Sequence, residues 1–193
     1  MPLARFGDKV IFFVHIPKTG GASVDRYLSK HGRIALWTPG AVAWTHCSPQ
    51  HMHRALYDQA IPPSFYDLGF AILRDPVARM ISEYRYRAER RGLDLGFDAW
   101  VARILRRFED NPYVLDNHIR PQAEFVREDL KLFRFEAGLG PVFDLIDQEA
   151  GLSPSKRPWA NRSKTAPVAP SSETQELIRA FYAEDYALLA TLS

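Results

Sequence analysis

The hydrophobic positions of the chain follow two different periods, which alternate along the sequence. Short continuous apolar runs at residues 10–14 and 69–73 are typical of strands buried on both faces of a parallel sheet. Each run is followed by a loop and then by apolar residues spaced as on one face of a helix. This repetition predicts a three-layer α/β fold, P-loop-like, with a small central parallel sheet flanked by helices.

The two helices that follow these strands have recognisable boundaries. The first is predicted from about Ala22, and Gly32 is placed to end it. The second begins after Asp75, a good N-cap residue, and has Pro76 at its first helical position. Gly92 is placed to end this second helix.

The remaining segments carry weaker signals of the same kind. We predict a short helix over 48–57, a helix over 97–108, a strand over 132–135, a helix from 142 to near 151, and a terminal helix that Ser172 opens. Residues 152–171 contain four prolines and are predicted to form a long loop. We expect one domain over residues 1–193.

Composition narrows the function classes. The 25 basic and 23 acidic residues give a net charge of +2, which argues against binding nucleic acid through bulk charge. The apolar runs are far shorter than the ~20 residues of a membrane-spanning helix, so no membrane partner is expected. The single cysteine, Cys47, cannot form an internal disulfide, and the first residues have no signal-peptide pattern. We therefore expect a cytoplasmic protein.

Charge is unevenly distributed along the chain. Residues 74–107 contain nine arginines and five acids, a net charge of +4, whereas residues 108–149 contain four basic residues and ten acids, a net charge of −6. Two interpretations stay open: oppositely charged solvated helix faces, or a basic wall around an anionic ligand. The second is chemically reasonable because arginine matches the oxygens of phosphate and sulfate.

The loop after the first strand is the strongest chemical signal. Gly20 and Gly21 stand between a buried strand and a helix, where backbone N–H groups and the helix N-terminus favour an anion. Lys18 adds a positive charge, and Thr19 and Ser23 add hydroxyls. The order differs from Walker A, in which the lysine follows the glycines. The alternative is a turn that simply uses two glycines.

The end of the second strand carries a second candidate anion site. Arg74 lies at its carboxyl end, where open α/β sheets bind ligands. Ser82 is about two turns into the following helix, on its flank. Together an arginine and a hydroxyl can clamp one phosphate. The alternative is an N-cap with an ion pair.

Both segments resemble motifs of one enzyme family. Residues 15–23, HIPKTGGAS, resemble the HIPKTGGTS loop of the carbohydrate-type sulfotransferases, and residues 74–84, RDPVARMISEY, resemble their RDPVxRxxSEY motif. The family contains the heparan sulfate 2-O- and 6-O-sulfotransferases and many bacterial relatives. Ala22 stands where threonine or serine is usual, which removes one possible hydroxyl contact. The resemblance covers residues 15–84.

The resemblance implies sulfuryl transfer from 3′-phosphoadenosine 5′-phosphosulfate (PAPS) to a hydroxyl acceptor such as a sugar, with release of PAP. Lys18 would stabilise charge on the leaving oxygen, and the reaction would need no metal. The residues implied to cradle the 5′-phosphosulfate are Lys18, Thr19, Gly20, Gly21, Ala22 and Ser23. Arg74 and Ser82 are implied to hold the 3′-phosphate.

The acceptor hydroxyl needs a base, and histidine is the usual choice. We predict His46, because it lies in a loop between the two motifs, as the catalytic histidine does in relatives. His118, in a polar segment, is the next candidate, and His15 is expected to be structural. A zinc site built from His46, Cys47, His51 and His53 is the minor alternative, because on a helix His51 and His53 would face apart.

Two questions stay open at the level of sequence. Residues 161–165, NRSKT, either close over the nucleotide or form an exposed linker. A P-loop kinase-like phosphotransferase and a non-catalytic PAP-binding protein are the alternative functions. The acceptor and the oligomeric state are not encoded in a recognisable pattern.

Overall fold

A computed structural model describes residues 1–38, 40–42, 45–153, 157–158 and 168–192. Its centre is a five-stranded sheet in the order β3-β1-β2-β4-β5. The strands are β1 Leu3–Phe6, β2 Lys9–Val14, β3 Arg33–Ala35, β4 Leu68–Leu73 and β5 Lys131–Arg134. β2, β4 and β5 pair in parallel, while β1 is antiparallel to both β2 and β3. Four of the five strands therefore share one direction, which confirms the predicted sheet.

Helices surround this sheet. They are α1 Gly21–His31, α2 Arg54–Tyr57, α3 Pro76–Arg91, α4 Phe97–Asp110, α5 Gly140–Ala150, α6 Ser172–Phe181 and α7 Ala183–Ala190. The predicted bounds of α1 and α3 are confirmed within a residue. Asp75 caps α3 as expected, because its carboxylate accepts a hydrogen bond of 2.8 Å from the Ala78 N–H. None of the helices described is both long and apolar enough to cross a membrane.

The sheet separates two apolar layers, because successive strand residues point to opposite faces. On one face, Phe13 and Phe70 pack with α1 and α5. On the other face, Phe12 and Ala71 pack with Tyr57 of α2 and with α7. A third cluster joins α3, α4 and α6, outside the sheet. The three-layer α/β prediction is confirmed.

The edge of the sheet beyond β2 was not predicted. β1 is only four residues long and forms a hairpin with β2 through Gly7, whose φ of 62° is in the left-handed region. β3 has three residues, two of them exposed. Both strands are too short for a periodic signal, and their pairing with β2 or with each other decides their conformation.

Two predicted helices are each divided in the structure. Residues 49–51 form a 3-10 turn, and His53, in an extended conformation, precedes α2. His51 and His53 therefore do not share a helix, contrary to the prediction. The terminal helix breaks at Tyr182, and its N-cap is Ser171, whose hydroxyl accepts from the Thr174 N–H. The candidate segment 161–165 lies outside the described residues.

Candidate active site

The loop between β2 and α1 is built around two glycines with different requirements. Gly20 is the N-cap of α1 and has a φ of 89°, which side-chain-bearing residues rarely adopt. Gly21 leaves room for the ring of His15: a Cβ on Gly21 would lie 2.2 Å from His15 Nε2. With Ala22, both glycines line a cleft of about 260 Å³ at the N-terminus of α1. This position suits an anion, because the first N–H groups of a helix lack intrahelical partners.

Lys18 lies in the wall of this cleft in a strained backbone conformation, with a φ of 71°. Its ammonium Nζ is 4.2 Å from the ring centroid of Tyr86 and 3.9 Å from Glu83 Oε2. Burial lowers the pKa of Lys18, and the charges of Arg74, Arg87 and Arg90 act in the same direction. Burial and these positive charges both disfavour the charged form of Lys18, and a bound anion beside it would offset their effect.

The hydroxyl-bearing residues Thr19 and Ser23 are buried and do not line the cleft. Thr19 is fully buried, and its hydroxyl donates a hydrogen bond of 2.8 Å to the Ile16 carbonyl. Ser23 is 3% exposed. Neither side chain is among the residues that line the cleft, so the structure does not place these hydroxyls with Lys18 and the glycines.

The second candidate anion site faces the same cleft. Arg74 Nη1 donates a hydrogen bond of 3.0 Å to the Lys18 carbonyl, and the guanidinium lies 4.4 Å above the ring of Phe135. Arg74 Nε is buried and has no hydrogen-bond partner among the described residues. Burial also lowers the pKa of Arg74. Ser82, about two turns into α3, lines the same cleft.

The cleft thus brings together most of the predicted donor-binding residues with several others. The predicted ones are Lys18, Gly20, Gly21, Ala22, Arg74 and Ser82. The others are His15, Pro17, Gln50, His51, Tyr86, His118 and Phe135.

Three histidines line this cleft, and each has a carboxylate on its Nδ1 atom. The pairs are His15 with Asp25 at 2.9 Å, His51 with Asp116 at 2.8 Å, and His118 with Glu83 at 2.7 Å. The ring centroid of His51 lies 5.1 Å from that of His15 and 4.9 Å from that of His118. A carboxylate on Nδ1 fixes the ring orientation and leaves Nε2 as the proton acceptor, the arrangement required of a general base.

His51 is the histidine whose titration is most strongly perturbed. Burial, helped by the charges of His118 and His15, lowers its pKa to about 3 against the opposing effect of Asp116. Burial would raise the pKa of Asp116, but hydrogen bonds from His51 and Ser48 lower it to about 2. His51 is therefore neutral, and Asp116 ionised, at neutral pH.

The segment that carries Asp116 has an unusual backbone. Leu115, Asp116 and Asn117 have φ values of 55°, 60° and 63°, three consecutive left-handed residues without a glycine. Each such residue costs of order 1–3 kcal/mol and persists only where its surroundings hold it. Here Asn117 Nδ2 donates to the His51 carbonyl at 2.9 Å, and Arg120 Nε donates to Asn117 Oδ1 at 3.1 Å. The strained turn holds Asp116 against His51.

Glu83 of α3 connects the histidines with the donor loop. It is fully buried, accepts from His118 and from Arg87 Nε at 2.6 Å, and lies 3.9 Å from Lys18 Nζ. Burial alone would raise the pKa of Glu83, but the three partners outweigh it and hold the pKa well below the usual range. Glu83 is therefore an anion that positions both Lys18 and His118.

Arg79, also on α3, holds the backbone on both sides of the cleft. It is 1% exposed, and its guanidinium donates to the Pro17 carbonyl at 3.1 Å and to the His118 carbonyl at 2.9 Å. Its Nη1 lies 3.9 Å from Asp185 of α7. Both Arg79 and Glu83 lie in the RDPVARMISEY motif, and the sequence pattern alone gives them no role.

His46 is not part of the cleft. Its side chain is exposed, its φ is 55°, and its ring contacts Tyr113 at a centroid distance of 5.3 Å. The structure therefore separates His46 from Lys18 and Arg74, contrary to the expectation that a loop position would turn it toward the sulfuryl group. The pairing of His51 with Asp116 was not predicted, because the two residues are 65 apart in sequence.

Among the described residues, His51, Asp116 and His118 form the group with metal-ligand geometry. Their ligand-type atoms lie within 4.8 Å of one another. His46, Cys47, His51 and His53 do not form such a group. Burial raises the pKa of Cys47 to about 11, so its thiol is protonated at neutral pH.

Comparison with known proteins agrees with this architecture. Residues 2–139 match the sequence model described as "Sulfotransferase family". The crystal structure of a sulfotransferase from Alicyclobacillus acidocaldarius aligns with a TM-score of 0.57 at 20% identity, over 94% of each chain. At this identity the likeness concerns the fold. No curated protein matches the chain at a significant level.

Proposed function

The chain belongs to the sulfotransferase family, and we propose that it transfers a sulfuryl group from PAPS to a hydroxyl acceptor, releasing PAP. The observation that carries the proposal is the junction of two anion-binding elements in one cleft. Arg74 Nη1 bonds the Lys18 carbonyl at 3.0 Å, so the groups that follow β2 and β4 form one surface. A nucleotide with phosphate at both ends matches two such elements.

The donor loop supports binding of the 5′-phosphosulfate. The N-terminus of α1, with Gly20, Gly21 and Ala22 lining the cleft, supplies backbone donors, and Lys18 supplies a charge. The proposed contacts of the 3′-phosphate are Ser82 and Arg74, whose buried Nε has no hydrogen-bond partner in the part of the chain that the structure describes. The unpartnered Nε is the feature expected of a site that awaits an anion, because a buried donor without a partner is costly.

The proposed base is His51. Asp116 fixes its ring, and burial keeps it neutral, so its Nε2 can accept the proton of the acceptor hydroxyl. His118 is less suited, because its carboxylate, Glu83, also pairs with Lys18 and Arg87. His118 is therefore assigned to positioning on the donor side.

The proposed reaction needs no reactant besides PAPS and the acceptor. The acceptor oxygen bonds the sulfur of PAPS while its proton passes to His51, and the bond between sulfur and the 5′-phosphate oxygen breaks. Lys18 stabilises the charge that develops on that leaving oxygen, as in phosphoryl transfer, where catalysis consists of positioning and charge stabilisation. The proton then leaves His51 for solvent.

The proposal is tested by ligand preference and turnover. PAP should raise the melting temperature more than ATP does, since only PAP carries both the 3′- and the 5′-phosphate, and a ligand stabilises the native state by mass action. PAPS turnover against hydroxyl acceptors should fall ~10²–10³-fold in Lys18→Ala, the loss typical of a group that stabilises transition-state charge. A larger shift with ATP, together with Mg-ATP turnover, would indicate the kinase-like alternative. PAP binding without transfer to any acceptor would indicate a binding protein.

A further inference from the structure

Two histidines and one carboxylate of the cleft lie close enough together to share a metal ion. Each of His51, Asp116 and His118 offers one ligand-type atom, and these atoms lie within 4.8 Å of one another. A tetrahedral zinc ion with bonds of about 2.0–2.2 Å needs its ligand atoms ~3.4 Å apart. Small side-chain rotations therefore close the group around an ion without moving the backbone.

The chemistry of the three groups matches a divalent transition-metal ion. Two imidazoles with one carboxylate are a common ligand set of zinc, and they leave one position of a tetrahedral ion open. Mg²⁺ differs, because it prefers oxygen ligands and keeps several of its waters. The ligand set therefore favours Zn²⁺ over Mg²⁺.

His118 is held in the orientation that a metal ligand needs. Its Nδ1 atom is hydrogen-bonded to Glu83 at 2.7 Å, which leaves Nε2 as the atom that can bind an ion. Glu83 is fully buried and is held in turn by Arg87 Nε at 2.6 Å. A carboxylate on the far nitrogen is the usual partner of a metal-binding histidine, because it fixes the ring and raises its basicity.

His51 and Asp116 are held against each other before any ion binds. Asp116 Oδ2 lies 2.8 Å from His51 Nδ1, and Ser48 donates to both oxygens of the same carboxylate. The left-handed residues 115–117 place this carboxylate, and Asn117 fixes the backbone of His51. Binding an ion therefore costs little conformational entropy at these two ligands.

An ion can reach the group from solvent. The three ligands line a depression of about 400 Å³, and the Asp116 side chain is 37% exposed. Arg87 and Arg91 line the same depression, and their charges oppose a cation. Arg87 is paired with Glu83, and Arg91 is exposed, where solvent screens its charge.

A metal ion at this group would disable the proposed base. If the ion binds His51 through Nε2, that nitrogen is no longer available to the acceptor hydroxyl. If it binds through Nδ1, beside Asp116, the neutral ring carries its proton on Nε2 and cannot accept another there. In both cases the lone pair that takes the acceptor proton is lost.

We propose that His51, Asp116 and His118 form a binding site for a divalent transition-metal ion such as Zn²⁺, and that an ion bound there inhibits the enzyme by blocking the base. The inhibition rests on the proposed function, because it requires that His51 is the base. The binding of the ion does not depend on the proposed function.

Calorimetry of the full chain tests the site itself. The protein is treated with a chelator, freed of it, and titrated with Zn²⁺ or Mg²⁺. Zn²⁺ should bind at one saturable site per chain and raise the Tm by mass action, whereas Mg²⁺ should do neither. Co²⁺ in place of Zn²⁺ should give the strong visible absorption of a four- or five-coordinate ion, because absorption reports the coordination geometry.

The variants that carry the test are Asp116→Asn and His118→Gln. Each should weaken Zn²⁺ binding at least tenfold, because even the loss of a group that only orients a ligand costs about 10- to 100-fold. Circular dichroism checks that both variants are folded. His118→Gln keeps the test decisive if Asp116→Asn, in the strained turn, does not fold. His46→Ala is the matched control: it removes an exposed histidine outside the group and should leave the affinity unchanged.

PAPS turnover in the presence of Zn²⁺ tests the inhibition. Transfer should fall in proportion to the occupancy measured by calorimetry, and EDTA should restore it. Mg²⁺ should have no effect. His118→Gln should need at least tenfold more Zn²⁺ than the wild type for the same fractional inhibition, in line with its weaker binding.

No saturable Zn²⁺ binding, or binding that neither variant weakens, would overturn the site and show an adventitious ion only. Binding that both variants weaken, without loss of transfer, would overturn the inhibition and place the base away from His51. Binding at the site in a chain that transfers no sulfuryl group even without metal would support the site and instead contradict the proposed function.

Discussion

The donor half of the cleft and the histidine half are built on different structural principles. The donor half takes its groups from the carboxyl ends of β2 and β4, adjacent parallel strands, and from the first turns of α1 and α3. The histidine half takes His51 from a 3-10 turn and Asp116 from an irregular segment with three consecutive left-handed residues. Regular elements position the first half, and side chain–backbone hydrogen bonds position the second.

This difference indicates how the removal of a single side chain affects the geometry of each half. In the donor half, removing one side chain leaves the strand ends and helix N-terminus in place. In the histidine half, Asp116 is hydrogen-bonded to both His51 and Ser48, and Asn117 donates to the His51 carbonyl. Each of these residues therefore depends on the others for its position. Strained segments held by such a network are common at functional sites, where they fix a geometry that regular structure cannot supply.

The largest expected effect on transfer is that of replacing His51, in the histidine half. His51→Ala should lower transfer by ~10²–10⁴-fold, the loss typical of a missing general base, while PAP affinity stays near the wild-type value. His46→Ala is the matched control, because His46 is exposed and outside the cleft, and it should retain wild-type turnover. Turnover and PAP affinity are measured for both variants after circular dichroism shows that they are folded.

The opposite result would change the assignment of the base. If His51→Ala keeps its turnover and His118→Ala loses it, the base is on the Glu83 side of the cleft. If His46→Ala alone is inactive, the loop that contains it closes on the site during the reaction.

An intermediate effect is expected at Arg74, in the donor half. Arg74→Ala should weaken PAP binding by about 10- to 100-fold, the value of a charge-assisted hydrogen bond, and leave AMP binding nearly unchanged, because AMP lacks the 3′-phosphate. Calorimetric Kd values for both nucleotides are the measurement. A variant that still prefers PAP over AMP by the wild-type factor would show that the 3′-phosphate binds elsewhere.

The smallest effect is expected in the pH dependence of the rate. A base must be neutral, and with a pKa of about 3 His51 stays neutral far below pH 7. At pH 5 such a base is ~99% neutral, whereas a histidine with the ordinary pKa of ~6.5 is only ~3% neutral. The kcat/KM, which reports the titration of the free enzyme, should therefore change less than threefold between pH 7.5 and pH 5. A fall of more than tenfold over this range would contradict the assignment of His51.

Stability gives an independent check of the same pKa shift. In the unfolded chain His51 binds a proton near pH 6.5, but in the folded chain it stays neutral down to about pH 3. The unfolded state binds more protons in this interval, so the free energy of unfolding decreases as the pH falls from 6.5. His51→Ala lacks this contribution. The difference in Tm between wild type and variant should therefore narrow from pH 7.5 to pH 5.

Much of the fold follows from local sequence. β2, β4, α1 and α3 were predicted within about a residue because each has an uninterrupted apolar pattern and a capping residue or glycine at its boundary. The positions of Lys18 and Arg74 also follow from local sequence. Each residue comes just after a parallel strand, and the carboxyl ends of adjacent parallel strands lie at the same edge of the sheet. β1 and β3 were missed because pairing across the sheet, not local pattern, makes such short segments into strands.

The choice of histidine was decided only in three dimensions. In sequence, both His46 and His51 lie between the two motifs, and the pattern favours His46, which lies in a loop, over His51, which lies in the helix predicted over 48–57. The structure distinguishes them by contacts over large separations: Asp116 lies on His51 Nδ1, whereas the ring of His46 contacts that of Tyr113. Strand and helix formation depends on neighbouring residues, which the sequence specifies directly. Burial and the pairing of a ring with a carboxylate depend on which distant segments pack together, and the tertiary structure alone sets these.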